Sequence, residues 1–191
     1  RAFNLYTADQ FEGLHDRMTP AAVVPMFNPD EAVEELQFIK SKGFKVAMFS
    51  SLLRREVPAV KRKAPEASRY AFWHDTLGID SEHNYDPVWA KCVEVGIPPS
   101  FHSASSGIGM RTSVSNFVFN HIGHFAQAGE AVCKSLFMNG VTKRFPDLRI
   151  AFLEGGVGWA CSLYSDLISH WKIRNPGALE NVNPDNLDQH M

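Results

Sequence analysis

Only three of the 191 residues are cysteines: Cys92, Cys133 and Cys161. None stands at metal-type spacing from another, and all three fall in helix-like segments. They read as reduced, buried thiols of a cytoplasmic protein rather than as disulfide partners. No stretch is apolar over the ~20 residues that a membrane span needs. There is no basic excess either. Lysine and arginine number 19 against 21 aspartates and glutamates, a net charge of −2, which leaves no footprint for nucleic acid. Phosphate-binding glycine fingerprints are missing: no GxGxxG follows the first strand-like run and no Walker sequence occurs, which disfavours a nucleotide site. The first residues carry no signal-peptide pattern. The chain begins at Arg1 directly inside a helix-like segment, and this suggests a piece of a longer protein.

What is present is an ordinary globular composition, 45% hydrophobic and 21% charged, long enough for a sizeable core. In residues 1–19, Phe3, Leu5, Tyr6, Phe11 and Leu14 stand among polar residues, which reads as a helix packed on something upstream. Residues 21–27, AAVVPMF, form an apolar run of the length of a strand buried on both faces. Asn28-Pro29-Asp30-Glu31 joins a cap residue, a first-position proline and two acids near the positive end of the helix dipole. Val33, Leu36 and Ile39 then share a helix face, Gly43 stops the helix, and residues 44–50 form the next strand. Residues 21–50 therefore read as a β-α-β unit with parallel strands. Residues 51–85 show no clear period. Their six basic residues between positions 54 and 69 read as a solvated face, with Tyr70, Phe72 and Trp73 packing the excursion onto the body. His74 and His83 are candidates for loop contacts to substrate.

A second unit follows. Asp86 caps a helix, Pro87 suits its first position, and Val88, Trp89, Cys92 and Val93 make an apolar stripe. Gly96 is a left-handed C-cap. GIPPSFHS, residues 96–103, then reads as a short buried strand whose prolines confine the strand proper to 100–102 and its neighbours. It delivers His102 to its C-terminal end, where parallel α/β proteins place their ligands. A lone strand-end imidazole is also a common hydrogen-bonded structural residue. Arg111, a cation suited to a carboxylate in the polar loop behind it, favours a site. Residues 113–138 read as the longest helical region, with Phe117, His121, His124 and Phe125 on one side. His121 and His124, three apart, either share a metal or face the core. His124 reads as core-facing, and either Asn120 or His121 as facing the site. RIAFLE, residues 149–154, is a further strand ending in Glu154 before Gly155-Gly156, where glycines let a backbone approach a ligand. Residues 157–172 form a last helix with Trp159, Leu163, Leu167 and Trp171 in register. The Pro- and Asn-rich residues 176–191 read as a loosely ordered tail. His15, His170 and His190 read as surface residues.

Strands alternating with helices in this way define a parallel α/β architecture. A full (β/α)8 barrel takes about 250 residues, so the chain is either part of one or a smaller doubly wound sheet. Three segments carry a resemblance: PMFNPDEAVEELQFIKSKGFKVAMF, DPVWAKCVEVGIPPSFHS and GVTKRFPDLRIAFLEGGVGW. Over most of residues 1–175 the chain resembles the amidohydrolase-related metal-dependent hydrolases, in the branch that includes aminocarboxymuconate-semialdehyde decarboxylase. The resemblance implies a distorted TIM-type (β/α)8 barrel as a single domain over 1–175, incomplete because the first and last barrel strands are not in the chain. It also implies a divalent metal, usually zinc. The ligands in that family are a His-x-His pair on the first strand, a histidine on the fifth and an aspartate on the eighth, and a sixth-strand histidine transfers protons. Carried onto this sequence, His102 is the fifth-strand metal ligand. No His-x-His pair occurs in the chain, and Glu154 stands where the proton-transferring histidine is usual.

The function so implied is hydrolysis or non-oxidative decarboxylation of a small carboxylated substrate, the work of a metal-dependent hydrolase or carboxy-lyase. Glu154 and His121 are the expected catalytic residues, with Glu154 as the proton relay. Arg111 is expected on the substrate carboxylate and His102 on the metal. The alternative is a non-catalytic α/β module that binds a ligand or serves as a dimer scaffold. A partial barrel leaves strand edges open, so a homodimer that covers them is expected. Its partner is a small molecule rather than nucleic acid or membrane, and the fragment alone is expected to be inactive.

Overall fold

The computed structural model describes residues 1–103 and 109–173. The tail expected at 176–191, His190 and the centre of the polar loop after His102 lie outside the described residues. Asn28 starts the first unit as its chemistry dictates. Its Oδ1 accepts the Asp30 N–H at 2.8 Å, Pro29 takes the first helical position, and helix α2 runs over Pro29–Ser41. Ala32, Leu36 and Ile39 are buried on its inner face. Strand β1 (Ala21–Val23) precedes it and β2 (Val46–Ser50) follows, paired in parallel with Ala21 beside Val46. Helix α4 (Asp86–Val95) packs against α2, and Gly96 closes it at φ 66°, a left-handed conformation that costs glycine nothing. Tyr85 rather than Asp86 is its N-cap residue; Asp86 is the first helical residue and its N–H is held by Asn84. Strand β5 (Pro99–Ser103) and strand β6 (Ala151–Phe152) complete a parallel sheet in the order β1-β2-β5-β6. The core gathers Phe49, Trp89, Phe101, Val132 and Leu136 around β2 and β5.

Several expectations are corrected. The run 21–27 is not a strand buried on both faces: Ala22, Val24 and Met26 are buried while Val23 is exposed, and the strand stops before Pro25, which has no N–H to donate. β1 lies at the sheet edge, and helix α1 (Ala2–Gln10) closes that edge with one side chain. Asn4 Oδ1 accepts the Val23 N–H at 2.8 Å and its Nδ2 donates to the Val23 carbonyl at 2.7 Å. An asparagine amide carries the same donor and acceptor as a peptide, so it substitutes for a neighbouring strand. Helix α1 thus packs on the strand that follows it. It ends by residue 10, short of the expected 19, and Phe3 and Tyr6 stay exposed.

Residues 51–85 are ordered. Strands β3 (Leu53–Glu56) and β4 (Phe72–Asp75) pair antiparallel, with helix α3 (Pro58–Lys63) and a 3-10 turn at Pro65–Tyr70 between them. Tyr70 and Phe72 are exposed instead of packing the excursion down. One of the six basic residues is not solvated. Arg55 is only 8% exposed. Its Nε donates to Asp75 at 3.1 Å, Nη1 to the Phe27 carbonyl at 3.0 Å and Nη2 to the Tyr85 hydroxyl at 2.8 Å. Asp75, fully buried, also accepts the Leu77 N–H at 2.8 Å and the Ser81 hydroxyl at 3.0 Å. The Leu77 bond holds that residue at a left-handed φ of 65°. Tyr85 in turn donates to the Met26 carbonyl. Burial pushes its hydroxyl up to about 12, against the pull of the Arg55 charge. This network ties the β3–β4 hairpin to the end of β1. Replacing Asp75 by alanine leaves the Arg55 guanidinium with the half-exposed Glu82 carboxylate, 3.2 Å from its Nε, as its one remaining acid, and is expected to lower the stability of the intact protein by about 1–3 kcal/mol. Urea melts of the two proteins measure it, and superimposable curves contradict the assignment.

The long helix expected at 113–138 is two: α5 (Phe117–His121) and α6 (His124–Met138). Gly123 breaks them apart at φ 74°. The short α7 (Val141–Arg144) leads to β6, and α8 (Gly158–Ile173) follows it. On α8 Leu163 is buried, whereas Trp171, expected in the same register, is exposed. All three cysteines are free. Burial pushes the Cys92 thiol up to about 12, but Cys161 is exposed on α8, so the expectation of three buried thiols holds only in part.

Candidate active site

The parallel register sets the site. Ser100 lies beside Ala151 and Phe101 beside Phe152, and the Leu153 N–H continues the ladder to the Phe101 carbonyl at 2.9 Å. His102 and Glu154 both stand at the C-terminal ends of β5 and β6, but the register sets His102 beside Leu153, so it is the backbone turn after Phe152 that brings Glu154 round to it. Glu154 then takes φ 63°, a left-handed conformation uncommon for a residue with a Cβ. Its carboxylate Oε1 lies 3.0 Å from His102 Nε2. A carboxylate only accepts, so the proton of this bond sits on Nε2. Both side chains reach solvent, His102 at 36% and Glu154 at 61% exposure. Backbone strain of this kind costs on the order of 1–3 kcal/mol and gathers where surrounding structure imposes a working geometry.

Gly155 fixes what stands next to the pair. A Cβ there would lie 3.0 Å from the Trp159 indole nitrogen and 3.2 Å from the Ala126 backbone. A side chain at residue 155 would press on the first turn of α6 and on the Trp159 indole, so glycine suits this close approach. Phe125 on that turn touches three imidazoles, with ring centroids 5.3 Å from His102, 5.4 Å from His121 and 4.9 Å from His124. His121 is exposed and stacks on Phe117 at 5.4 Å. His124 is buried, as expected, and its pKa is lowered by burial first and then by His121 and His102. Arg111 donates through Nη1 to the Gly123 carbonyl at 2.9 Å, between α5 and α6.

The other candidates lie elsewhere. His74 sits on β4 against Phe72, and His83 against Tyr85. A cavity of about 330 Å³ opens beside His83, Asp86 and Arg144, but neither His102 nor Glu154 lines it. It is set aside as the reaction site because it lacks the strand-end pair. As metal donors, His102 and Glu154 are two where zinc takes three or four protein ligands. Among the described residues no group of three or more His, Cys, Asp or Glu is placed to hold a metal ion. The described residues therefore do not fit a metal by themselves.

Solved structures share this fold. An amidohydrolase from Mycobacterium avium subsp. paratuberculosis K-10 superposes with a TM-score of 0.63 at 22% identity, over 96% of this chain and 44% of its own. Metarhizium anisopliae IDCase in apo form gives a TM-score of 0.60 at 13% identity, over 92% of this chain and 44% of its own. At such identities the likeness is one of fold, and the chain spans less than half the length of either. No curated protein matches it. The amidohydrolase family model matches residues 1–175, and the chain belongs to the amidohydrolase family.

Proposed function

We propose that the intact protein is a metal-dependent enzyme of the aminocarboxymuconate-semialdehyde decarboxylase-like branch, hydrolysing or non-oxidatively decarboxylating a small carboxylated substrate. The observation that carries this reading is the 3.0 Å contact between His102 and Glu154 at neighbouring strand ends. In this reading the open four-stranded sheet is part of a (β/α)8 barrel that forms a single domain over residues 1–175, with its site at the C-terminal face. A divalent metal, zinc by resemblance, would take His102 as one ligand and its remaining ligands from outside the described residues.

The chain's own residues supply the proton chemistry. Glu154 removes a proton from the attacking water in hydrolysis, or returns one to the carbon that loses carbon dioxide. The His102 N–H holds that carboxylate in place. His121 assists from the other side of Phe125. Arg111 pairs with the substrate carboxylate through N–H groups other than the one on Gly123. The two substitutions Glu154→Gln and His102→Ala test the reading, because they separate turnover from metal content.

Among the described residues no helix is long and apolar enough to cross a membrane. A cytoplasmic homodimer is part of the same reading. Phe117, Val118, Phe119 and Ile122 are all exposed around α5 and form an apolar patch of the kind that association covers. Sedimentation of the intact protein should give a dimer. A monomer at every concentration tested removes this part of the proposal.

A further inference from the structure

The β3–β4 hairpin carries a buried polar atom that its own network leaves out. Arg55 and Asp75 hold the hairpin on the end of β1 from one of its faces. Their chain neighbours Arg54 and His74 stand directly opposite each other in the antiparallel register, on the other face. The Arg54 guanidinium lies over the Phe72 ring, 4.5 Å from its centre, and the His74 ring meets Phe72 in a T-shaped pair at 5.3 Å. His74 Nε2 is buried and, among the described residues, has no hydrogen-bond partner. A neutral imidazole tolerates this with its single proton on Nδ1, because Nε2 is then a bare acceptor. A protonated ring carries a hydrogen on both nitrogens and would bury an N–H with no acceptor. Its charge would also face Arg54, and like charges directly opposite destabilise a sheet pair. The acid that β3 offers on this face, Glu56, lies across from Phe72 and is paired with Lys61. Burial first, and then Arg54, hold the His74 pKa below the ordinary histidine value.

We propose that His74 is an acid-sensitive latch: neutral, it keeps the β3–β4 hairpin seated at the C-terminal ends of β1 and β2, and its protonation releases the hairpin. Those strand ends share the C-terminal edge of the parallel sheet with His102 and Glu154, so the latch acts on the edge that carries the site. The proposal does not depend on which reaction takes place there. A two-stranded hairpin is marginal by itself in water, which makes it responsive to one misplaced proton. The direction follows from proton uptake. An open hairpin binds the proton at the ordinary histidine value of about 6.5, and the closed one only at lower pH. The closed form is therefore fully stable above that value and loses stability as pH falls below it.

Amide hydrogen exchange on the intact protein reads the latch. Protection of residues 53–56 and 72–75, corrected for the intrinsic pH dependence of exchange, is expected to fall several-fold between about pH 7.5 and about pH 5, roughly tenfold for each unit by which closure depresses the pKa. His74→Phe keeps a ring against Phe72 and takes up no proton, so in this variant the fall should vanish. His124, whose pKa burial also lowers, is left in place there, and an effect arising from it would persist. A magnetic-resonance titration of the wild-type His74 ring needs no variant to fold. Its midpoint is expected below about 6.5 and should move up in Arg54→Gln, which removes the facing charge. Protection that does not change with pH in the wild type, the same fall in His74→Phe, a His74 midpoint at or above the ordinary value, or a midpoint that Arg54→Gln leaves unmoved each overturn the proposal.

Discussion

Glu154→Gln is expected to lower turnover of the intact protein by roughly 10²–10⁴-fold, the usual worth of a positioned acid–base group. Glutamine keeps the length of the side chain and still offers an oxygen to the His102 N–H, but it cannot take up a proton. The side chain is largely exposed, so the fold should be indifferent to the change. Glu154→Gly provides a second view of the same position. Glycine adopts φ 63° without strain, so this variant should melt at least as high as the wild type while losing the same activity. A panel of small carboxylic acids and their amides, followed for cleavage and for carbon dioxide release, supplies the assay. Wild-type rates in both variants would remove Glu154 from the chemistry and leave the family membership untouched.

His102→Ala should be the more damaging of the two for activity and the more selective for metal. It removes the proposed ligand and the N–H that holds Glu154 at 3.0 Å. The remaining ligands then form an open site of lower affinity, and the metal-bound fraction should fall to a small part of the wild-type value. Stability should change little, because about a third of the side chain is already in water. If His102 were instead a structural residue, the alanine variant would melt lower without a selective change in metal.

The architecture around this pair was legible because its punctuation is local. Asn28 and Pro29 start α2, and Gly96 ends α4 just before the strand that carries His102; each acts through residues within one turn of itself. The meeting of His102 with Glu154 followed from two parallel strands ending on the same side of one sheet. What was not legible depends on partners far along the chain. Nothing near Arg55 announces that it is buried; its partners Asp75 and Tyr85 are 20 and 30 residues away. Asn4 looks like any polar residue of a helix until Val23, 19 residues on, presents an open strand edge. The helix break at Gly123 left a visible sign, a glycine inside a helical pattern, but the apolar period ran through it and outweighed it. The burial of His124 follows from its place on the apolar side of the helix.

Elemental analysis of three intact proteins, wild type, His102→Ala and Glu154→Gln, each paired with a melting curve, tests whether His102 holds a metal. About one divalent metal per chain is expected in the wild type and in Glu154→Gln, little in His102→Ala, and similar melting temperatures throughout. Unchanged metal in a folded His102→Ala protein would show that His102 is not a ligand.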